Sequence, residues 1–292
     1  MFNTPNVSFE FFPPKDKEGE ANLLRTVSCL EAYRPSFASV TYGAGGSTRE
    51  GTSRIIKRLA EESTLTPAAH LTCVGATREE INEIVRAWQA AGIKHIVALR
   101  GDAPAGAEKY QPHPNGYANA AELTAGLRKM GDFEISVGAY PDVHPDSPSV
   151  AADLENLKRK IDEGANRAIT QYFFEADTFL RFRDLCTKAG INVPIVPGIL
   201  PIIKFKTVLH FSKSCGAVIP KWIVDLFDGL DEDPETSQLV AAATASDLCM
   251  KLMTEGVEDF HFYTLNRSQL TSAICRRLGR RPHNAKCNLS NS

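Results

Sequence analysis

The stretch EISVGAYPDVHPDSPSVAADLENLKRKIDEGANRAITQYF, residues 134–173, reads as strand, helix, strand. Glu134–Tyr140 and Arg167–Phe173 are short β-like runs. Between them Val150, Leu154, Leu157 and Ile161 recur at spacings of four, three and four, which puts them on one face of a helix. Ser147 before Pro148 predicts an N-cap with proline in the first turn, and Gly164 predicts the stop. Parallel neighbours need such a crossover, so the unit predicts two parallel strands.

The same unit recurs along the chain. Strand candidates are Val7–Phe12, Phe37–Tyr42, Ala69–Val74, His95–Arg100, Glu134–Tyr140, Arg167–Phe173, Val193–Leu200 and Asp259–Leu265. Helical patterns cover about Glu18–Tyr33, Thr48–Glu62, Arg78–Ala91, Ala120–Met130, Pro148–Glu163, Ala176–Ala189, Phe205–Cys215, Pro234–Glu255 and Arg267–Leu278. Eight strand–helix units predict an α/β fold, a closed (β/α)8 TIM barrel, with an open doubly wound sheet as the structural alternative. A barrel of roughly 250 residues uses nearly all of the 292 present. The expected organisation is therefore a single catalytic barrel over 1–282 and a polar tail over 283–292.

Composition narrows the partners. A net charge of -2 provides no global positive field for nucleic acid or an anionic membrane. No apolar run approaches the roughly 20 residues of a membrane helix, and Met1 to Asn6 is too short and polar for a signal peptide. Seven cysteines, odd in number and without a C-x-x-C pair, read as reduced thiols of a cytoplasmic protein. The histidines show no metal-ligand spacing, so no metal is expected.

Barrel enzymes place their chemistry at the C-terminal ends of the strands. The polar residues there are Glu10, Thr41, His70 with Thr72, Arg100 with Asp102, Tyr140, Gln171 and Tyr263. Glu10 lies in Phe9-Glu10-Phe11-Phe12, where a carboxyl among aromatics is disfavoured as an anion and suits a general acid. The other reading is a surface glutamate on an amphipathic strand. In Arg100-Gly101-Asp102, Gly101 permits close approach of a ligand to backbone, Arg100 could hold an anion, and Asp102 could face developing positive charge. A local ion pair at a strand end is the plainer reading. Gly43-Ala44-Gly45-Gly46-Ser47-Thr48 could cradle a phosphate with backbone N–H groups, but it fits neither G-x-G-x-x-G nor a P-loop, and a flexible turn is the plainer reading. Asp102–Tyr117 is a long Pro/Gly-rich loop of the kind used as a lid or binding loop. Lys158-Arg159-Lys160 taken alone reads as a solvated helix face.

Several strings in order resemble the bacterial, catalytic-domain type of methylenetetrahydrofolate reductase. They are Val7–Pro14 (VSFEFFPP), Ser39–Gly43 (SVTYG), His70–Cys73 (HLTC), His95–Asp102 (HIVALRGD), Ala139–Pro141 (AYP), Asn166–Gln171 (NRAITQ), Pro197–Pro201 (PGILP) and Asp259–Arg267 (DFHFYTLNR). The resemblance covers roughly residues 7 to 282. It implies a barrel holding non-covalent FAD, reduced by NADH or alternatively NADPH, that converts 5,10-methylenetetrahydrofolate to 5-methyltetrahydrofolate in ping-pong fashion for methionine synthesis. It implies catalytic roles for Glu10 as general acid and Asp102 as the carboxylate beside flavin and folate. It implies FAD contacts from Thr41, His70, Leu99, Arg100, Gly101, Asp102, Tyr117, Tyr140, His144, Asp153, Asn156, Arg159, Lys160 and Ala165. Substrate contacts would come from Glu10, Gln171, Phe211, Tyr263 and Arg267. Thr207 stands where members often carry glutamine, and a homo-oligomer, commonly a tetramer, is implied. Other barrel flavoenzymes, a Schiff-base aldolase barrel and a non-catalytic folate- or flavin-binding module are the competing functions.

Overall fold

Alternation along the strands decides which side chains enter the middle of the molecule. In β1 (Asn6–Phe11), Val7, Phe9 and Phe11 are buried in the large apolar cluster under the helices, so Ser8 and Glu10 face the opposite way. The computed structural model describes residues 3–42, 49–103, 106–107 and 109–283. The Gly43–Thr48 turn and most of the expected tail, 284–292, lie outside the described residues.

The remaining strands are β2 (Ala38–Val40), β3 (Pro67–Thr72), β4 (His95–Leu99), β5 (Glu134–Ala139), β6 (Arg167–Thr170), β7 (Ile195–Val196), β8 (Gly198–Ile199) and β9 (Asp259–Tyr263). They form one 9-stranded sheet in the order β7-β6-β5-β4-β3-β2-β1-β9-β8, and every recorded pairing is parallel. β7 and β8 stand at the two ends of that order but are separated in the chain only by Pro197, so the chain itself closes the sheet. The run expected as one strand, Val193–Leu200, is thus split. Proline has no N–H for a ladder, while the Pro197 carbonyl accepts from His261 N at 3.0 Å. The result is a (β/α)8 TIM barrel whose eighth position is shared between two short strands.

The helices are α1 (Lys17–Glu31), α2 (Arg49–Glu62), α3 (Arg78–Ala90), α4 (Ala120–Met130), α5 (Val150–Asp162), α6 (Ala176–Lys188), α7 (Phe205–Cys215), α8 (Lys221–Phe227), α9 (Pro234–Thr254) and α10 (Gln269–Arg277). α5 begins later than expected. Its cap is Ser149, whose extended backbone lets the side chain accept from Ala152 N, and Ser147 instead donates its N–H to His144 O in the preceding turn. Gly164, at φ +107, ends the helix as the sequence predicts. α8 was not expected; its two buried residues, Ile223 and Phe227, sit four apart and are too few to give a periodic signal.

Between sheet and helices lies the main core. Trp88 on α3 is fully buried there, and its Nε1–H donates to Ser53 Oγ at 3.0 Å. Trp88→Ala should lower stability by about 3–5 kcal/mol, because a large cavity is left. Denaturant unfolding checks this; a loss below about 1 kcal/mol would mean the helix layer collapses into the space. Among the described residues Cys73, Cys186, Cys215, Cys249 and Cys275 carry free thiols.

The inside of the barrel is unusually polar. Its apolar cluster is small, with Phe37, Ala68, Val97 and Ile169 at its centre. The inward positions of neighbouring strands hold buried Ser8, Ser39, His70, His95, Ser136 and His261. TIM barrels more commonly fill these layers with bulky branched residues.

Candidate active site

Glu10 ends the inward row of β1, in register with Ser39 on β2 and Tyr263 on β9. Its side chain keeps 18% exposure, and its Oε2 lies 3.3 Å from His70 Nε2 and 3.6 Å from His261 Nε2. The Glu10 carbonyl accepts from Thr264 Oγ1 at 2.6 Å, which pins the strand end. Beside it, Tyr263 Oη donates to Thr170 O at 2.6 Å. Gly198 makes that approach possible. A Cβ there would stand 2.1 Å from Thr170 O and 2.7 Å from the Tyr263 ring. Burial, reinforced by Glu10, pushes the Tyr263 phenol well up, so it stays protonated.

The ends of β3 to β6 enclose the neighbouring part of the same barrel face. They border a cavity of about 820 Å³, within the usual range of ligand pockets. Leu99, Arg100, Gly101, Asp102, Tyr140, His144, Asp153, Asn156, Arg159, Lys160 and Gln171 all line it. Gly101 carries φ +87, and a Cβ there would meet Val74 Cγ1 at 2.5 Å, so the turn that presents Asp102 requires glycine.

Charges in the cavity are arranged in contacts. Arg100 Nη2 donates to Asp146 Oδ2 at 2.7 Å, Arg100 Nε donates to Gly101 O at 3.1 Å, and its guanidinium lies 4.6 Å from the Tyr110 ring centre. Asp153 Oδ2 accepts from His144 N at 3.0 Å, and the His144 ring meets Tyr140 edge-on at 4.5 Å. Burial holds His144 below the ordinary histidine range, so it is neutral near pH 7. Burial, with Asp102 nearby, pushes Tyr140 up to about 12. Lys160 reaches inward from α5 and donates to Gly138 O. Burial pushes it down to about 8, against the opposing pull of Asp153. Arg159 contacts Asn156 one turn back, while Lys158 pairs with Asp162. The basic run therefore divides: Arg159 and Lys160 border the cavity, and Lys158 serves the helix surface.

Other expected residues lie outside the cavity lining. Glu10, His70 and Tyr263 form the adjoining polar group just described, with Thr41 at the next strand end. Ala165 is buried behind Lys160, to whose carbonyl its N–H donates. Phe211 is 44% exposed on α7, and Arg267 is exposed after β9. Tyr117 packs away from the cavity: its hydroxyl donates to Asn82 Oδ1 at 3.0 Å, and Arg78 covers its ring. Thr207 is exposed in the first turn of α7. The sequence reading missed Tyr42, Tyr110, Asn119, Asp146 and Cys215, which also line the cavity. The Asp102–Tyr117 loop marked the right segment for Tyr110, but nothing local singled out the residue. Among the described residues no group of three or more His, Cys, Asp or Glu could hold a metal, and no helix is long and apolar enough to cross a membrane.

Comparison with known proteins agrees over nearly the whole chain. The sequence model of methylenetetrahydrofolate reductase matches residues 2–279. The 5,10-methylenetetrahydrofolate reductase of Escherichia coli is 51% identical over 277 residues, covering 95% of this chain and 92% of that protein. Methylenetetrahydrofolate reductase (NADH) 1 of Arabidopsis thaliana is 36% identical over 93% of this chain, which spans 48% of that longer protein. A solved structure from Clostridium thermocellum, an uncharacterized protein described as binding two copies of 5-methyl-5,6,7,8-tetrahydrofolic acid, shares the fold. Its TM-score is 0.59 at 14% identity, with 94% of each chain covered. With its barrel, its acidic strand end and this similarity along its length, the chain belongs to the methylenetetrahydrofolate reductase family.

Proposed function

We propose that this protein reduces 5,10-methylenetetrahydrofolate to 5-methyltetrahydrofolate with NADH, or alternatively NADPH, through non-covalent FAD in a ping-pong sequence. The product would supply methyl groups for methionine synthesis. The observation that carries this reading is the adjacency, on one barrel face, of the partly buried Glu10 carboxyl and a large cavity bordered by Arg100, Arg159 and Lys160.

The donor set fits an FAD. Arg159 and Lys160 would hold the diphosphate, since a partly buried ammonium beside open volume is satisfied by an anion. Tyr140, His144, Asp153 and Asn156 would border the rest of the cofactor, and Leu99, Gly101 and Asp102 the edge nearest the reacting carbon. Thr41, His70, Ala165 and Tyr117 complete the proposed cofactor set, Tyr117 through the loop it anchors. When bound, the flavin supplies hydride transfer between nicotinamide and folate. Glu10 holds the proton for the departing folate nitrogen, because the bridging carbon accepts hydride only after the ring opens to an iminium cation. Asp102 faces that cation with negative charge. Gln171, Tyr263, Phe211 and Arg267 would orient the folate, Phe211 by stacking from its exposed position on α7. A cytoplasmic homo-oligomer, with a tetramer favoured, belongs to the same proposal.

The purified protein should be yellow, and heat or acid should release free FAD at about one per chain. Under anaerobic stopped flow, NADH should bleach the flavin band and methylenetetrahydrofolate should restore it, with NADPH compared in parallel. A colourless, folded and fully active protein that gains nothing from added FAD sinks the proposal. So does a flavin that no folate reoxidises.

A further inference from the structure

Of the cations that line the cavity, Arg159 contacts Asn156 and Lys160 contacts Gly138 O, whereas Arg100 is gripped from several sides. Its backbone is fixed first: its carbonyl accepts from Val74 N at 3.0 Å and from Cys73 Sγ at 3.3 Å. Its side chain is then fixed along one edge and on one face. The edge that carries Nε and Nη2 donates to Gly101 O at 3.1 Å and to Asp146 Oδ2 at 2.7 Å. The face lies over the Tyr110 ring, 4.6 Å from its centre.

Both partners are suited to this. The Tyr110 hydroxyl donates to Ala118 O at 3.0 Å, which ties the ring to the residue just before the Asn119 cap of α4. Burial pushes its phenol up, so the ring stays neutral and presents its negative face to the cation. The hydrogen bond from Arg100 holds the Asp146 carboxyl below the usual carboxylate range, so it is charged near pH 7. A guanidinium carries five N–H groups in a rigid fork. Among the described residues only Gly101 and Asp146 accept from Arg100, which leaves the opposite edge, with both N–H groups of Nη1, unpaired on a side chain that lines the cavity. A long side chain loses rotamer freedom when it closes on a ligand, and one already held loses less.

We propose that Tyr110 and Asp146 are positioning residues for cofactor binding, which hold the Arg100 guanidinium in the free protein with its unpaired edge ready for oxygen acceptors of FAD. This rests on the reading of the cavity as the FAD site. The two partners divide the task. Tyr110 fixes the plane of the guanidinium by stacking, and Asp146 fixes its rotation within that plane through the Nη2 edge. A simple tether between the two loops would use the Tyr110 hydroxyl and would need no ring on the Arg100 face.

Nitrogen-15 spectra of the Arg100 Nε in the apoprotein read the holding directly. Rotation about the Nε–Cζ bond should be slow in the wild type and faster in Tyr110→Leu; equal rates overturn the inference. In fluorescence titrations of the apoprotein, Tyr110→Leu should weaken FAD binding by about twofold to thirtyfold, the worth of a cation–π contact. Tyr110→Phe keeps the ring and drops the hydroxyl tie, so it should stay within about twofold of the wild type. Equal losses in the Phe and Leu variants would make Tyr110 a loop tether and overturn the inference. Asp146→Asn removes the charge of an exposed pair and should weaken FAD by about twofold to fivefold, which serves if Tyr110→Leu folds poorly. In an Arg100→Met background, Tyr110→Leu should cost nothing more, because its effect acts through Arg100; losses that multiply overturn the inference. Tight wild-type binding that Tyr110→Leu leaves unchanged overturns this inference alone. A wild-type apoprotein that binds no FAD overturns the cofactor reading and this inference with it.

Discussion

Glu10→Gln should slow reoxidation of the flavin by methylenetetrahydrofolate by about 10²–10⁴-fold, the usual worth of general acid catalysis, while NADH still reduces the flavin at nearly the wild-type rate. Glutamine keeps the size of glutamate and much of its hydrogen bonding, so the contacts to β2, His70 and His261 survive in shape. It cannot release a carboxyl proton. Ring opening of the folate needs that proton on the departing nitrogen, whereas hydride donation to the flavin needs none. The two half-reactions therefore separate, which a folding defect or a damaged flavin site would not produce. Equal losses in both steps would make Glu10 a structural or flavin-site residue. No loss in either would place the acid elsewhere.

Lys160→Ala should release FAD. Truncating one member of a desolvated charge pair typically costs about 2–5 kcal/mol, roughly 30- to 3,000-fold in Kd. The apoprotein should melt no lower than wild type, because the ammonium that burial disfavours is gone. The same residue predicts a pH dependence. Burial lowers Lys160 to about 8 in the free protein, and a bound diphosphate favours the ammonium form. Below about pH 8 the amine is already protonated, so binding takes up no proton there and affinity is flat. Above it, binding must take up a proton, and affinity should fall by at most about tenfold per pH unit. Flavin fluorescence titrations of the apoprotein from about pH 7 to 9.5 measure this. Lys160→Ala should be flat across the range from this source, and Lys160→Arg should stay tight throughout, since arginine remains charged. A wild-type affinity that does not change up to pH 9.5 would remove Lys160 from the phosphate site.

Two features of the sequence carried most of what could be read without coordinates. The apolar spacing of Val150, Leu154, Leu157 and Ile161, set between two strand-like runs, is a local signal, and each such unit demands a parallel neighbour. Repetition of that unit along the chain left a barrel as the leading architecture. Strand-end position then singled out Glu10, Arg100, Asp102, Tyr140 and Gln171, because in a barrel all strands end on the same face. Local hydrogen bonding was harder to read. Ser147 and Ser149 are both good caps, and only the path of the turn after Tyr140 decides that Ser149 reaches the helix.

What the tertiary structure alone decided is what faces what. Closure at Pro197 divides one expected strand into β7 and β8 and brings β9 beside β1, so His261 and Glu10, 251 positions apart in the chain, meet. Packing of α5 on the barrel likewise leaves Lys158 outward and Lys160 inward from a single turn of one helix, which composition read as a single basic run. The fold also turns Tyr117 towards Asn82 and brings Tyr110 and Asp146 to Arg100. Sequence periodicity determines which face of an element is apolar, because that depends on neighbours a few residues away. The partners of the polar face are set by strand order and register, which bring distant residues together and leave no trace in the local pattern.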